Sequence, residues 1–186
     1  TKDLSRVREL AYRDPELMNK IIDVLTDIII EHLSLQIKNG ADLVQIFDTH
    51  SNVLDFISIE KYSISPIRRI CKELKRRYPS IPISYFSKSI NYDIKDFFEY
   101  MDIVSFSSSV KMKNYINNLP RKTVFQGNLD PIKLLVGGDI MEEATISILK
   151  EMKNKNFIFN LGHGILPNTP IDNVKRCIEI VKSFRG

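Results

Sequence analysis

Phe157-Ile158-Phe159-Asn160-Leu161-Gly162-His163-Gly164-Ile165 decides the architecture. A compact apolar run stops on glycine, a short loop follows, and from Pro170 the spacing becomes helical. That is a strand delivering a loop at its carboxy-terminal end, with a helix behind it. The outline recurs on working back along the chain. Thr123 to Gln126 runs into Gly127-Asn128-Leu129-Asp130-Pro131, and helical spacing resumes from Asp139 to Met152. Ile103 to Phe106 reads as a strand, with short helices expected near Ile94 to Tyr100 before it and Val110 to Asn117 after it. Pro79 and Pro82 separate a helix over Pro66 to Arg77 from the strand Ile83 to Phe86. Asn39-Gly40 ends the first long helix before the strand Leu43 to Phe47. That helix opens on Asp14-Pro15-Glu16, a cap followed by proline, and repeats Leu17, Ile21, Val24, Leu25, Ile28 and Leu33.

Short apolar strands alternating with helices define an α/β chain, a parallel sheet of about five strands covered by helices. In such folds ligands gather at the carboxy-terminal strand ends. The segments to inspect are therefore Asp48 to Asn52, Ser87 to Asn91, Ser107 to Ser109, Gly127 to Asp130 and Gly162 to Ile165.

Composition narrows the classes. The chain has 186 residues, 43% hydrophobic and 27% charged, which suits a single globular domain and excludes disordered and fibrous types. No apolar run is longer than Ile28-Ile29-Ile30, far short of a membrane span, so no membrane partner is expected. No charged-then-apolar leader opens the chain, and its start on Thr1 suggests a piece of something longer. Cys71 and Cys177 fall in helical stretches without metal-type spacing, which fits a reducing cytosol. The net charge of +4 favours anionic ligands without forming the basic stripe of a nucleic-acid binder. Lys72, Lys75, Arg76 and Arg77 read as a solvated helix end, and no nucleic acid is expected.

At the strand ends, glycines flanking His163 permit a sharp turn and close approach of a ligand. The imidazole is placed either to exchange a proton or bind a carboxylate, or merely to be hydrogen-bonded within a tight loop; the spacing leaves both open. Asp130 suits a helix cap, Thr169 another, and Asn128 either orients a ligand or braces a loop. Asp48, Thr49 and His50 crowd one strand end; no third metal ligand clusters with them, so Thr49 as a ligand-facing hydroxyl is the preferred reading. His32 lies inside a helix and reads as a packing or surface residue. No Walker loop, dinucleotide fingerprint or nucleophile elbow supports a nucleotide or flavin cofactor.

Three elements together resemble the carboxy-terminal portion of the uroporphyrinogen decarboxylase family. Gln45-Ile46-Phe47-Asp48-Thr49 is similar to the family's strand ending in phenylalanine, an acid and serine. Gln126-Gly127-Asn128-Leu129-Asp130-Pro131 matches its glycine-asparagine element, and Asn160 to Ile165, followed by Pro167, Thr169, Pro170 and Asn173-Val174, matches its glycine-histidine signature. The resemblance covers essentially the whole chain. It implies residues 1–186 as a single domain, part of a (β/α)8 barrel, cofactor-free, cytoplasmic and homodimeric when complete. The implied reaction removes the four acetate carboxyls of uroporphyrinogen III, giving coproporphyrinogen III for haem synthesis. On this resemblance His163 and Thr49 contact the polycarboxylate tetrapyrrole and Phe47 lines the cleft. The central acid, the paired arginines and the tyrosine of the family fall upstream of Thr1, so no catalytic residue is expected within this chain.

The chain also departs from the family. Ser51-Asn52 stands for a small pair, Phe106-Ser107-Ser108 for a strand end carrying an acid and tryptophan, and Phe86-Ser87-Lys88-Ser89-Ile90 for a glycine-containing loop. The alternative function is accordingly a non-catalytic, truncated or decayed remnant. A corrinoid methyltransferase on the same barrel is disfavoured, because its Cys/His zinc site has no counterpart in two helical cysteines. About five strands alone leave two sheet edges open, so the isolated chain is expected to be unstable and inactive.

Overall fold

The computed structural model describes residues 4–88 and 98–185. Five strands form one sheet in the order β1-β2-β3-β4-β5: β1 Val44–Asp48, β2 Ile83–Ser87, β3 Ile103–Phe106, β4 Val124–Leu129 and β5 Phe157–Leu161. All neighbours are parallel. Helices α1 Ser5–Arg13 and α2 Pro15–Lys38 precede β1. Helix α3 Phe56–Ile59 passes through a wider turn, Glu60–Ile64, into α4 Ser65–Arg77. Beyond β4 lie α5 Pro131–Val136 and α6 Gly138–Glu151, and α7 Ile171–Ser183 follows β5. This is the α/β architecture of a partial (β/α)8 barrel.

Register assigns the two faces. Ile46, Tyr85, Val104, Phe125 and Phe157 lie opposite one another in a single row across the sheet. That row meets Ile30 and Leu33 of α2 and Ile67, Ile70, Cys71 and Leu74 of α4 in the main core. Phe106 adds a ring stacked on Phe125 at 5.8 Å and tilted against Tyr115 at 5.5 Å. A second core packs α5, α6 and α7 on the far strands through Leu129, Leu134, Met141 and Ile180. The opposite face carries the row Phe47, Phe86, Ser105, Gln126 and Ile158. Its two edge residues, Phe47 and Ile158, are 68% and 41% exposed. No second layer covers this face among the described residues, and a closed barrel would make it the interior.

The caps at Asp14 and Asp130 form as the sequence implies, each carboxylate accepting from a first-turn N–H. Three expectations change. No α-helix forms over Val110–Asn117; only a short tight turn, Met112–Asn114, is present. The carbonyl of Val110, which a helix would offer to Asn114, instead accepts from Asn128 Nδ2 at 2.7 Å. The Thr169 hydroxyl makes no hydrogen bond, and α7 starts without a side-chain cap. The strand β4 runs through Gly127 to Leu129 instead of stopping at Gln126, because Gly127, Asn128 and Leu129 pair with Phe159, Asn160 and Leu161. The helix expected near Ile94 to Tyr100 falls mostly outside the described residues.

The basic cluster at the end of α4 is largely paired. Lys75 meets Asp102 at 2.6 Å, Arg76 meets Glu73 at 2.7 Å, and Arg77 bridges Glu31 and Glu73. Asp102 also accepts the N–H of Ile83, so this pair anchors the start of β2. Cys71 and Cys177 lie in helices and are buried. Burial pushes the Cys71 thiol up to about 12 and raises that of Cys177, leaving almost no thiolate at neutral pH. A thiol-specific reagent at pH 8 is therefore expected to label neither cysteine in the folded chain and both after unfolding. Rapid labelling of Cys71 in the native state would contradict this core packing.

Candidate active site

The strand ends on the uncovered face enclose a cavity of about 350 Å³ that brings Phe47, Thr49 and His163 together. Strand alternation sets the first two. Phe47 and Thr49 reach the cavity, while Asp48 between them turns to the helix side, where its carboxylate accepts from the hydroxyls of Ser63 at 2.5 Å and Tyr85 at 3.0 Å. Asp48 is thus committed to anchoring the end of β1. Ser51 strengthens that end by donating to the carbonyl of Asp48 and by meeting Ser87 at 3.3 Å.

His163 owes its place to Gly162. A Cβ on Gly162 would lie 2.2 Å from the backbone nitrogen of Ser108 and 2.7 Å from its Cα, so only glycine lets the β5 loop rest on the β3 loop. The Gly162 N–H donates to Leu129 O at 2.8 Å, fixing the turn. The N–H of Gly164 then donates to Nδ1 of His163 at 2.8 Å. With Nδ1 an acceptor, the neutral ring carries its proton on Nε2, which becomes a donor. The imidazole stands edge-on to Phe86, 6.0 Å between centroids, and Phe86 in turn contacts Phe47 at 5.9 Å.

Two of the remaining strand-end segments turn out to be structural. A Cβ on Gly127 would lie 2.8 Å from the carbonyl oxygen of Phe106, and its φ of +128° suits glycine. Asn128 braces the β3 loop, donating to the carbonyls of Ser107 and Val110. The Ser107 hydroxyl meets that of Ser109 at 3.1 Å. The segment Ser87 to Asn91 lies within the described residues only as far as Lys88.

The sequence reading missed Phe86, Ser105 and Gln126 as cavity residues. Their signal was the strand alternation that places them in the row of Phe47, visible only once the register is known. Among the described residues, the lining holds no Asp, Glu, Lys or Arg. It offers hydroxyl and amide dipoles, aromatic edges and one imidazole. Such a surface can accept and donate hydrogen bonds to a polar ligand, but among the described residues it contains no carboxyl group to deliver a proton. A larger groove of about 670 Å³ lies between α2 and α4. Its arginines are occupied, Arg68 by Glu60, Arg69 by Asp23 and Asp27, Arg76 by Glu73, and Arg77 by Glu31 and Glu73.

A parallel βα sheet whose strands follow one another in sequential order, with a cavity at their carboxy-terminal ends, is the arrangement of part of a (β/α)8 barrel. Within that class the comparisons are specific. The family model described as uroporphyrinogen decarboxylase matches residues 1–184, and the chain belongs to this family. A uroporphyrinogen decarboxylase of Rickettsia bellii is 36% identical over 188 residues, covering 98% of this chain and 54% of that protein. One from Novosphingobium aromaticivorans is 36% identical, covering 99% and 54%, and one from Brucella canis 37% identical, covering 100% and 55%. The chain spans about half the length of the curated relatives it matches, corresponding to their carboxy-terminal portion. Among the described residues, no helix is long and apolar enough to cross a membrane.

Proposed function

We infer that this chain forms the carboxy-terminal part of a uroporphyrinogen decarboxylase cleft. The observation that carries the reading is the meeting of Phe47, Thr49 and His163 in one cavity at the strand ends. Uroporphyrinogen III is the substrate, its four acetate side chains become methyl groups, and coproporphyrinogen III is the product, on the way to haem. The enzyme works without a cofactor, in the cytoplasm and as a homodimer, with residues 1–186 as one domain of the barrel.

Each decarboxylation needs a proton on the ring α-carbon next to the one that bears the acetate, which leaves the acetate-bearing carbon conjugated to the resulting cation. The ring then carries an iminium charge, and the C–C bond to the carboxylate breaks with its electron pair flowing to the ring. CO2 leaves, the exocyclic carbon takes up a proton, and the ring carbon loses its own. The net change is one proton consumed and one CO2 released. In this scheme His163 Nε2–H and the Thr49 hydroxyl donate to substrate carboxylates, and Phe47 walls the ring. The proton source comes from the part of the cleft this chain does not supply.

His163→Asn in the assembled enzyme is expected to lower kcat/KM by about 10–100-fold, the value of a hydrogen bond to a charged group. The melting temperature should stay unchanged, and His163→Gln, with a donor nitrogen at similar reach, should recover part of the loss. An unchanged rate at several substrate concentrations would remove His163 from the site. The function itself is tested on the protein from its natural source, by intact mass and by conversion of uroporphyrinogen to coproporphyrinogen. A mass near 21.5 kDa without conversion would favour a second reading, a non-catalytic remnant. Ser51-Asn52 and Ser107-Ser108, which differ from the family pattern beside the cleft, are the observation on that side.

A further inference from the structure

We propose that the amino-terminal ends of β4 and β5 carry a second ligand site, one for a phosphate-class anion, formed by Arg121, Lys155 and the unmatched hydroxyl of Thr123. A cavity of about 630 Å³ opens there between the segment leading into β4 and the turn leading into β5. Its polar lining is Asn117, Arg121, Thr123, Asn154, Lys155 and Asn156, with no Asp or Glu among the described residues. Thr123 immediately precedes β4 and Asn156 immediately precedes β5, so the cavity lies at the opposite end of the strands from His163. The length of β4 sets the two sites about 20 Å apart by strand rise.

Two observations point to an anion. Neither Arg121 nor Lys155 has an ion-pair or side-chain hydrogen-bond partner among the described residues, whereas each arginine of the α2–α4 groove is matched by a carboxylate. The Thr123 side chain is 1% exposed, yet its Oγ1 makes no hydrogen bond. A buried hydroxyl left unmatched is destabilising, and a ligand oxygen at the cavity wall relieves that cost. Both loops are held ready. The N–H of Thr123 donates to Pro120 O at 2.9 Å and that of Lys155 to Met152 O at 3.0 Å. The N–H of Phe125 donates to Asn156 O at 2.8 Å, which ties the second loop to the start of β4. Asn154 takes the left-handed conformation, φ 67°, that turns the chain into Lys155. Guanidinium, ammonium, amides and hydroxyl together offer more donors than a single carboxylate can accept, and the oxygens of a phosphate group use them. Leu119 and Phe125 add a small apolar wall, which suits the organic part of a phosphate ester.

The test is calorimetric titration of the complete protein, as it occurs in its natural source, with inorganic pyrophosphate and with phenyl phosphate. Ionic strength is matched throughout, since salt screens exposed cations. Saturable binding at one site per chain is expected, with the melting temperature raised by a few degrees at saturation. Arg121→Ala combined with Lys155→Ala should weaken binding by at least about tenfold, as both charged donors are lost. Arg121→Lys, which keeps the charge and loses the planar fork, should keep part of the affinity. Thr123→Val should weaken binding while leaving the free protein as stable or more so, because it removes an unmatched buried hydroxyl. The site is independent of the tetrapyrrole reading, and its binding is read whether or not the protein turns substrate over. Tighter binding of phenyl phosphate would name an ester as the ligand, and tighter binding of pyrophosphate an inorganic diphosphate; both support the site. No binding of either probe, or undiminished affinity in the Arg121 and Lys155 double variant, would overturn it. Loss of binding in His163→Asn instead would place the anion in the cleft and overturn it equally.

Discussion

Gly162→Ala is expected to cost about 3 kcal/mol or more, at the upper end of overpacking penalties, and to abolish turnover in the assembled enzyme. The added Cβ would sit 2.2 Å from the Ser108 nitrogen and 2.7 Å from its Cα. Neither is the tip of a flexible side chain, so relief requires the β3 and β5 loops to separate. Separation breaks the hydrogen bond from Gly162 to Leu129 and carries His163 away from Phe86. In a chain of this size the stability loss corresponds to a fall in melting temperature of roughly 6–12 °C. Thermal denaturation and turnover of the assembled enzyme, measured together, check it. Gly164→Ala is the control, since a Cβ there meets nothing within 4 Å. Equal behaviour of the two variants would show that the loop contact at Ser108 does not constrain the site.

Phe106→Ala is expected to be the most damaging core substitution, at about 3–5 kcal/mol. The ring is 0% exposed and contacts both Phe125 and Tyr115. Its removal leaves a hole between the sheet and the segment that packs beneath it, and neighbours tied by parallel pairing cannot collapse to fill it. A midpoint shift in urea denaturation with an unchanged slope would establish the loss as one of stability. A change below about 1 kcal/mol would mean that this stack is not part of the main core.

Local chemistry announces much of this architecture. Short apolar runs bounded by glycine, proline or polar residues locate the strands, and Asp14-Pro15 and Asp130-Pro131 set their helix starts through side-chain caps. Thr49 and His163 are separable as candidates because each stands just past a strand end, Phe47 only through the family resemblance, and the structure gathers the three in one cavity. What escaped was decided by distant partners. Val110 has a helical neighbourhood, but Asn128 from the next strand claims its carbonyl. Gly127 looks like a strand end, yet pairing with Phe159 continues the ladder. Asp48 has the chemistry of a ligand, and Ser63 and Tyr85 absorb it. Phe86 and Gln126 needed the cross-strand register before they could be assigned to the cleft.

The order of the sheet also bears on how the chain is made. Each strand pairs with its neighbours in sequence, so no pairing within the sheet waits for a segment more than one unit away. Structure can then be laid down in the direction of synthesis, each emerging unit docking on an edge already formed, as in a solenoid that grows from one end. Of the loops that follow the five strands, the one carrying His163 comes last. Within this sheet the cavity acquires its imidazole only after the four preceding strands are in place, so a product interrupted before β5 would lack the His163 side of the cavity.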